Sequence, residues 1–320
     1  MTWLWIVLGI IAVIATILLS VMLYCFFKTF YSPKRHQLEP DKYEIPPGEE
    51  YEEFLEVMVE WVKEVRRLKG KEFTIKSKEG LTLKAKYYEC KEGAPIELMF
   101  HGYRGYAERD MSGGVERAFD VGHNALLIDH RASGLSDGHV ITFGIKERDD
   151  CLRWIDFVIK QFGKDVEIIL TGISMGAATV LMVSNENLPN NVKYILADCG
   201  YTSPKEIIYK VILDMKLPPK LVFPIIKLSA RIFGGFNIDK YSAIESVKST
   251  KLPIIFYHGT NDNFVPHYMS ETLYNACISH KKLVLVDNAG HGLSYPVEKE
   301  KYISALVEFE NEIKQKKSDN

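Results

Sequence analysis

Three residues far apart in the chain have the types and settings of a nucleophile, an acid and a base. Ser174 lies in Gly172-Ile173-Ser174-Met175-Gly176, directly after the apolar run Ile168-Ile169-Leu170, so a strand runs into a G-x-S-x-G turn and then into a helix. The turn must be sharp, hence its glycines, and the helix N-terminus behind it favours negative charge developing beside the serine. A serine hydroxyl is a weak nucleophile until a base takes its proton. His291, in Asn288-Ala289-Gly290-His291-Gly292, follows a late apolar run, and Asp262 ends the loop after the run before it. The order Ser, Asp, His is the one a strand-turn-helix nucleophile leads to expect. In that arrangement His291 takes the Ser174 proton during attack on an acyl carbon and returns it to the leaving group. Asp262 fixes the imidazole tautomer and stabilises its cation.

A tetrahedral intermediate also needs N–H donors for its oxyanion. The expected donors are the backbone amides of Met175 and of Tyr103, the latter in His101-Gly102-Tyr103-Arg104-Gly105 just after a strand. Asp198, in Ala197-Asp198-Cys199-Gly200, also ends a strand and is the alternative acid; Asp262 is preferred because it stands directly before the strand that leads to His291. Asp129 and Arg131 are read as a structural pair beneath the site, and His101, His130 and His258 as loop-fixing residues. No grouping has metal-ligand character, and no motif asks for a cofactor.

Such residues need a frame that delivers them to one place. Residues 73–77 and 81–87 flank Lys78-Glu79-Gly80 and read as a β-hairpin. Short apolar runs at 96–100, 125–129, 167–170, 194–197, 253–257 and 283–286 then alternate with helical periodicity at 115–120, 145–162, 175–183, 268–278 and 297–314. Strands and helices in that alternation predict an α/β fold with a mostly parallel sheet covered on both faces, and catalytic groups at the carboxyl ends of its strands.

The first 27 residues carry no charged side chain, and 3–27 is long enough to cross a bilayer. Without a positive n-region or a small-x-small cleavage site it reads as an uncleaved anchor over 1–27, not a signal peptide. Lys28, Lys34 and Arg35 follow it, which places the large domain in the cytoplasm. Residues 28–50, with Pro40, Pro46, Pro47 and Gly48, read as a juxtamembrane linker, and 51–320 as the folded domain, entered by a helix over 51–68.

Balanced charge, with 40 Lys and Arg against 42 Asp and Glu, offers no basic footprint for nucleic acid. Five scattered cysteines make neither a disulfide framework nor a zinc site. The expected partners are a membrane and a small ester or lipid-like substrate; the oligomeric state is open.

Taken together, His101-Gly102, the loop from Asp129 to Gly138, the Gly172 to Gly176 turn, the Asp262 loop and Gly290-His291 resemble the α/β-hydrolase superfamily, in particular its membrane-anchored bacterial members similar to the Bem46 and serine-aminopeptidase-like groups. The resemblance covers residues 71–315. It departs at Ala132, where that family's loop usually carries glycine. It implies the α/β-hydrolase fold and a lid insertion at about 201–249 that shapes substrate choice. The activity it implies first is a serine hydrolase cleaving esters, lipids or thioesters through Ser174, Asp262 and His291. A peptidase or amidase on the same residues is the second reading, and a catalytically silent membrane-bound scaffold the third.

Overall fold

The structure, a computed structural model, describes residues 2–33 and 41–318; Lys34, Arg35 and Pro40 lie outside the described residues. The short apolar runs become the strands of one sheet: β1 (Lys71–Lys76), β2 (Thr82–Tyr88), β3 (Ile96–Phe100), β4 (Asn124–Ile128), β5 (Ile168–Ile173), β6 (Val192–Asp198), β7 (Ile254–Gly259) and β8 (Lys281–Val286). Their order is β1-β2-β4-β3-β5-β6-β7-β8. β1 and β2 pair antiparallel with their neighbours and the remaining pairs are parallel. The interior strands β3 and β4 are buried at every position, as strands covered on both faces must be.

Around the sheet run α1 (Thr2–Thr29), α2 (Leu55–Arg67), α3 (Ala107–Asp120), α4 (Glu147–Phe162), α5 (Met175–Val183), α6 (Pro204–Asp214), α7 (Pro219–Ile232), α8 (Ala243–Val247), α9 (Tyr268–Ala276), α10 (Ser294–Val297) and α11 (Lys299–Ser318). This is the α/β-hydrolase architecture. The connection through α3 leaves β3 towards β4, whereas β5 lies on the other side of β3. The sheet therefore has a topological switch point between β3 and β5, and a crevice opens at the carboxyl ends of that pair. Ser174 follows β5 and His101 follows β3, so both are delivered to that crevice by connectivity alone.

The first departure from expectation lies at the amino-terminal helix. α1 is long and apolar enough to cross a membrane, and 2–21 stands fully exposed. Its last turns do not lead into a free tether. Phe26 and Phe30 are buried, Phe30 completely. Phe26 meets Phe233 at 5.7 Å between ring centroids, while Phe30 meets Phe143 at 5.8 Å and Phe236 at 5.3 Å. Arg104 caps the end of the helix by donating to the carbonyls of Lys28 (2.8 Å) and Tyr31 (3.2 Å), and the Tyr103 hydroxyl donates to that of Thr29 (2.7 Å). Carbonyls left open at a helix C-terminus need such partners. Tyr31 then bridges to Val140.

At the far end of the same stretch, Glu49–Phe54 forms a 3-10 turn with Tyr51 buried. Residues 28–50, expected as a linker, are thus tied to the domain at both described ends, by Phe30 within the stretch and by Tyr51 just after it, which bury surface that a bare tether would leave in water.

The insertion at 201–249 is helical as expected (α6, α7 and α8); α7 packs against α1, α8 against α5 and α9, and Lys210 of α6 reaches the Asn263 carbonyl. Among the described residues, none from 201–249 lines the cavity that holds Ser174. The apolar residues of the insertion go partly into the main core, with Ile207, Ile208, Ile212, Phe223 and Ile226 buried beside Phe26 and Phe30, and partly face outward.

Candidate active site

Ser174 occupies the turn between β5 and α5 at φ 55°, ψ −115°, a left-handed conformation that side chains rarely adopt and that marks functional turns. Two close approaches enforce it. A Cβ on Gly172 would run into the Gly176 backbone, and one on Gly176 into the Phe100 carbonyl at the end of β3. Only hydrogen fits at either glycine, so the turn can be tight and α5 can start against β3. The Ser174 amide donates to the Asp198 carbonyl at 2.9 Å, which pins the turn to β6.

His291 and Asp262 meet as expected. The His291 ring bonds the Asp262 carboxylate through Nδ1 at 2.7 Å. Asp262 is completely enclosed: Oδ1 accepts the amides of Phe264 (2.9 Å) and Val265 (2.8 Å), and Oδ2 is shared between His291 and His258 Nε2 (3.2 Å). Burial by itself would raise the Asp262 pKa, but the hydrogen bonds from His258 and His291 outweigh it and hold the carboxyl well below the usual carboxylate range. Asp262 is therefore an anion at neutral pH. With Nδ1 engaged by that anion, the proton of neutral His291 sits on Nδ1 and Nε2 carries a free lone pair. His291 and Ser174 line the same cavity.

Asp198, the alternative acid, is held elsewhere. Its two oxygens accept from the hydroxyls of Ser294 and Tyr302, each at 3.1 Å, and burial pushes its pKa up.

The turn after β3 lies against the nucleophile: a Cβ on Gly102 would stand 3.6 Å from Ser174 Cβ. His101, fully buried, holds the turn. Its Nε2 accepts the His130 amide (3.0 Å), so its proton sits on Nδ1, which donates to the Gly102 carbonyl (2.8 Å). Burial lowers its pKa and keeps it neutral. Tyr103 lies in this turn and lines the cavity, and Met175 is the first residue of α5, directly after Ser174.

Asp129 and Arg131 are structural, but each has other partners. Asp129 accepts the amides of Ala107 and Leu135, both at 2.9 Å, while Arg131 is bidentate to Asp150, 2.7 Å on each arm. Ala132 takes φ 60°, the left-handed position where the resembling family carries glycine.

Five contributing residues escaped sequence reasoning. Tyr51 donates its hydroxyl to the His291 carbonyl at 2.8 Å, across more than half the chain. Trp61 of α2 lines the cavity, made possible by Gly113, where a Cβ would collide with the indole. Pro46 and Pro47 line it too, from the stretch expected as a linker. Cys199 brings its thiol within 4.8 Å of the Asp262 and His291 ligand atoms; burial raises its pKa, leaving it neutral. The tyrosine and tryptophan had a visible cue in the helical periodicity of 51–68, but periodicity gives the buried face and not what lies against it.

The cavity encloses about 350 Å³, the lower end of the range for small-molecule sites. Its walls include Met58, Trp61, Met111, Ile173, Leu196 and Phe264. Arg117 and Thr171 line it as well and rest on Glu97, a fully buried carboxylate in β3. Glu97 pairs with Arg117, accepts from the Thr171 hydroxyl (2.8 Å) and bonds His123 Nδ1 (2.9 Å). Burial would raise the Glu97 pKa, but Arg117 and His123 bring it down to about 2. His123 spans two carboxylates, its Nε2 reaching Glu310 at 3.2 Å. Burial would lower its pKa, but the Glu310 and Glu97 hydrogen bonds raise it to about 9.

The consequence for stability follows from the sign of that shift. A histidine whose folded pKa exceeds its unfolded value stabilises fully below about pH 6.5 and loses that contribution as pH rises through 9. Denaturant unfolding in detergent should show stability falling by up to about 3 kcal/mol between pH 6.5 and 9.5. His123→Gln should flatten that slope. A variant with an unchanged slope would show that the protonated histidine is not its source.

Comparisons with known proteins agree with this fold. The model of the prolyl oligopeptidase family matches residues 142–316, which include Ser174, Asp262 and His291. YqkD of Bacillus subtilis, uncharacterised, is 26% identical over 191 residues, 59% of this chain and 63% of its own. The protein bem46 of Schizosaccharomyces pombe is 24% identical over 198 residues, 61% and 60% of the two chains. The chain thus spans about three fifths of the length of these curated relatives. Among solved structures, an esterase of Pyrococcus furiosus superposes with a TM-score of 0.63 at 20% identity, covering 84% of this chain and 96% of that one; at such identity the likeness speaks for the fold. The strained serine turn, the sheet that carries it and the matched segment together make this chain a member of the prolyl oligopeptidase family, built on the α/β-hydrolase fold.

Proposed function

We propose that the protein cleaves carboxylic esters or thioesters with an apolar acyl group, through Ser174, His291 and Asp262. The observation that carries this reading is the cavity wall: Met58, Trp61, Met111 and Leu196 offer an acyl chain an apolar seat beside the Ser174 turn. His291 Nε2 takes the Ser174 proton as Oγ bonds to the acyl carbon, the carbonyl electrons move to oxygen, and the amides of Tyr103 and Met175 receive that oxyanion. Collapse expels the alcohol or thiol with the proton from His291. Water then gives a proton to His291 as its oxygen bonds to the acyl carbon, and the acyl–Oγ bond breaks as His291 returns that proton to Ser174, releasing the acid.

Amide cleavage on the same residues is the second reading, favoured by membership in a family named for a peptidase. Turnover of p-nitrophenyl esters of graded length, set against anilides of the same acyl groups, separates the two. Ester turnover peaking at a defined chain length, with anilides inert, supports the first reading; efficient cleavage of anilides moves the assignment to the second. Met58, half-buried on the cavity wall, gives a sharper check. Met58→Trp should raise KM for the longest accepted ester about tenfold, as expected for the loss of one or two methylenes of room, and leave the acetyl ester unchanged. Equal effects on both would remove the acyl chain from that wall.

The reading includes α1 as an uncleaved anchor with the hydrolase domain on the cytoplasmic side. Its support is the burial of Phe26 and Phe30: cleaving the helix away would take aromatic side chains out of the core, a change that costs about 3–5 kcal/mol for a single large-to-small replacement. Tyr103, which lines the cavity and also bonds Thr29 at the end of α1, sets the cavity on the side where the helix leaves the domain. A substrate dissolved in the bilayer then has a short path to Ser174.

A further inference from the structure

We infer that the α6–α7 hairpin is a second membrane contact, which docks into the headgroup layer of the leaflet that α1 leaves and prefers anionic lipid. The inference rests on the anchor reading of α1 and goes beyond it, since an anchored domain could equally hang clear of the surface.

The first argument is length. Residues 2–21 are free of the domain and span about 30 Å at about 1.5 Å per residue, the thickness of the hydrocarbon layer. From Met22 onward one face of α1 is covered, with α7 packed against it and Phe26 buried. No slack separates span from domain: Arg104 and Tyr103 grip the carbonyls of Lys28, Thr29 and Tyr31, and Phe30 is locked in the core. Whatever part of the domain flanks α1 at Met22 must therefore lie at the membrane surface, and that part is α7.

The second argument is what α7 shows there. Its inner face buries Phe223, Ile226, Ser229 and Ala230. Leu221, Leu228 and Ile232 face outward at helical spacing, with Leu221 70% and Ile232 57% exposed. The end of α6 adds Leu213 and the loop before α7 adds Met215 and Leu217, the first two 59% and 60% exposed. A water-facing helix would place polar residues at these positions. Beside the apolar stripe run Lys220, Lys227 and Arg231, and α7 contains no acid. Lys227 pairs with Asp239, and the single acid of the hairpin tip, Asp214, pairs with Lys210. An apolar stripe bordered by cations, continuous with a membrane-spanning helix, fits an interfacial helix on an anionic leaflet. It also agrees with a cytoplasmic placement of the domain.

The test uses the full chain, reconstituted in phosphatidylcholine vesicles with and without phosphatidylglycerol, in a background of Cys25→Ala and Cys90→Ala. A polarity-sensitive fluorophore is attached at Leu217→Cys, Leu221→Cys or Leu228→Cys, all exposed, and at Lys164→Cys, in the loop entering β5 at the opposite end of the sheet from Ser174. Doxyl-labelled lipid should quench the three hairpin labels at least about twofold more than the Lys164 label, and more strongly when phosphatidylglycerol is present. Hairpin labels as poorly quenched as Lys164, on a chain that floats with the vesicles and resists carbonate extraction, overturn the docking and leave the anchor standing. A chain that stays in the soluble fraction overturns both. Labels that report apolar surroundings yet escape the doxyl lipid show a second copy of the chain covering the face, which also overturns the inference.

Discussion

Ser174→Ala removes fluorophosphonate labelling and lowers ester turnover by about 10⁴ to 10⁶-fold, the range over which serine hydrolases fall when the nucleophile is lost. The chain keeps its fold. Alanine retains the Cβ that already sits at φ 55°, and the Ser174 amide still donates to Asp198, so thermal unfolding in detergent should move little. The residual rate comes from the oxyanion donors and the cavity, which still bind and polarise the acyl group. Labelling of the parent chain that survives in the variant would put the reactive nucleophile elsewhere. No labelling of a folded parent chain would favour the silent scaffold, although a scaffold has no need of a strained serine, an enclosed carboxylate and a histidine held against it.

What the sequence disclosed depended on how local the physics was. The β5–α5 turn was legible because its cause lies within five residues: two glycines that cannot carry a Cβ, a preceding apolar run and a following helix. α5 begins and ends where its periodicity predicts, Met175–Val183. α3 was read only over 115–120, yet it starts at Ala107. Gly113 and Gly114 look like helix breakers, and their purpose at Gly113 is contact with Trp61, a residue some fifty positions earlier.

The same limit explains the larger revisions. The insertion at 201–249 and the stretch 28–50 are both apolar in places, and composition does not say against what. The structure gives the insertion to the main core and to α1, and gives Pro46, Pro47 and the adjoining Tyr51 to the cavity. Arg131 choosing Asp150 over Asp129 is of this kind as well, since charge pairing across a loop and a helix is a matter of tertiary geometry. The ion network under the cavity could not be read at all: Glu97 sits in the middle of an otherwise apolar strand, and only Arg117 and His123 make it tolerable there.

Asp262→Asn lowers kcat by about 10⁴-fold, whereas Asp198→Asn costs less than about tenfold. The contrast is set by what each carboxylate holds. Asp262 must accept at both oxygens, from the amides of Phe264 and Val265 on one side and from His291 and His258 on the other. An asparagine can keep only one of those sides. If its NH₂ faces His291, the imidazole is driven to the other tautomer and Nε2 carries the proton it should be taking from Ser174. If it faces the loop, two buried amides lose their acceptor and the loop carrying the residue is disturbed. Among the described residues, Asp198 accepts from the hydroxyls of Ser294 and Tyr302. Those can rotate to suit an amide, and burial already favours the uncharged form there. Single-turnover acylation by a p-nitrophenyl ester reads the chemical step directly for both variants, with Tm as the control for folding. Should Asp198→Asn prove the more damaging to acylation while Asp262→Asn acylates normally, the acid belongs to β6, and the His291–Asp262 hydrogen bond is a support of the loop and not part of the chemistry.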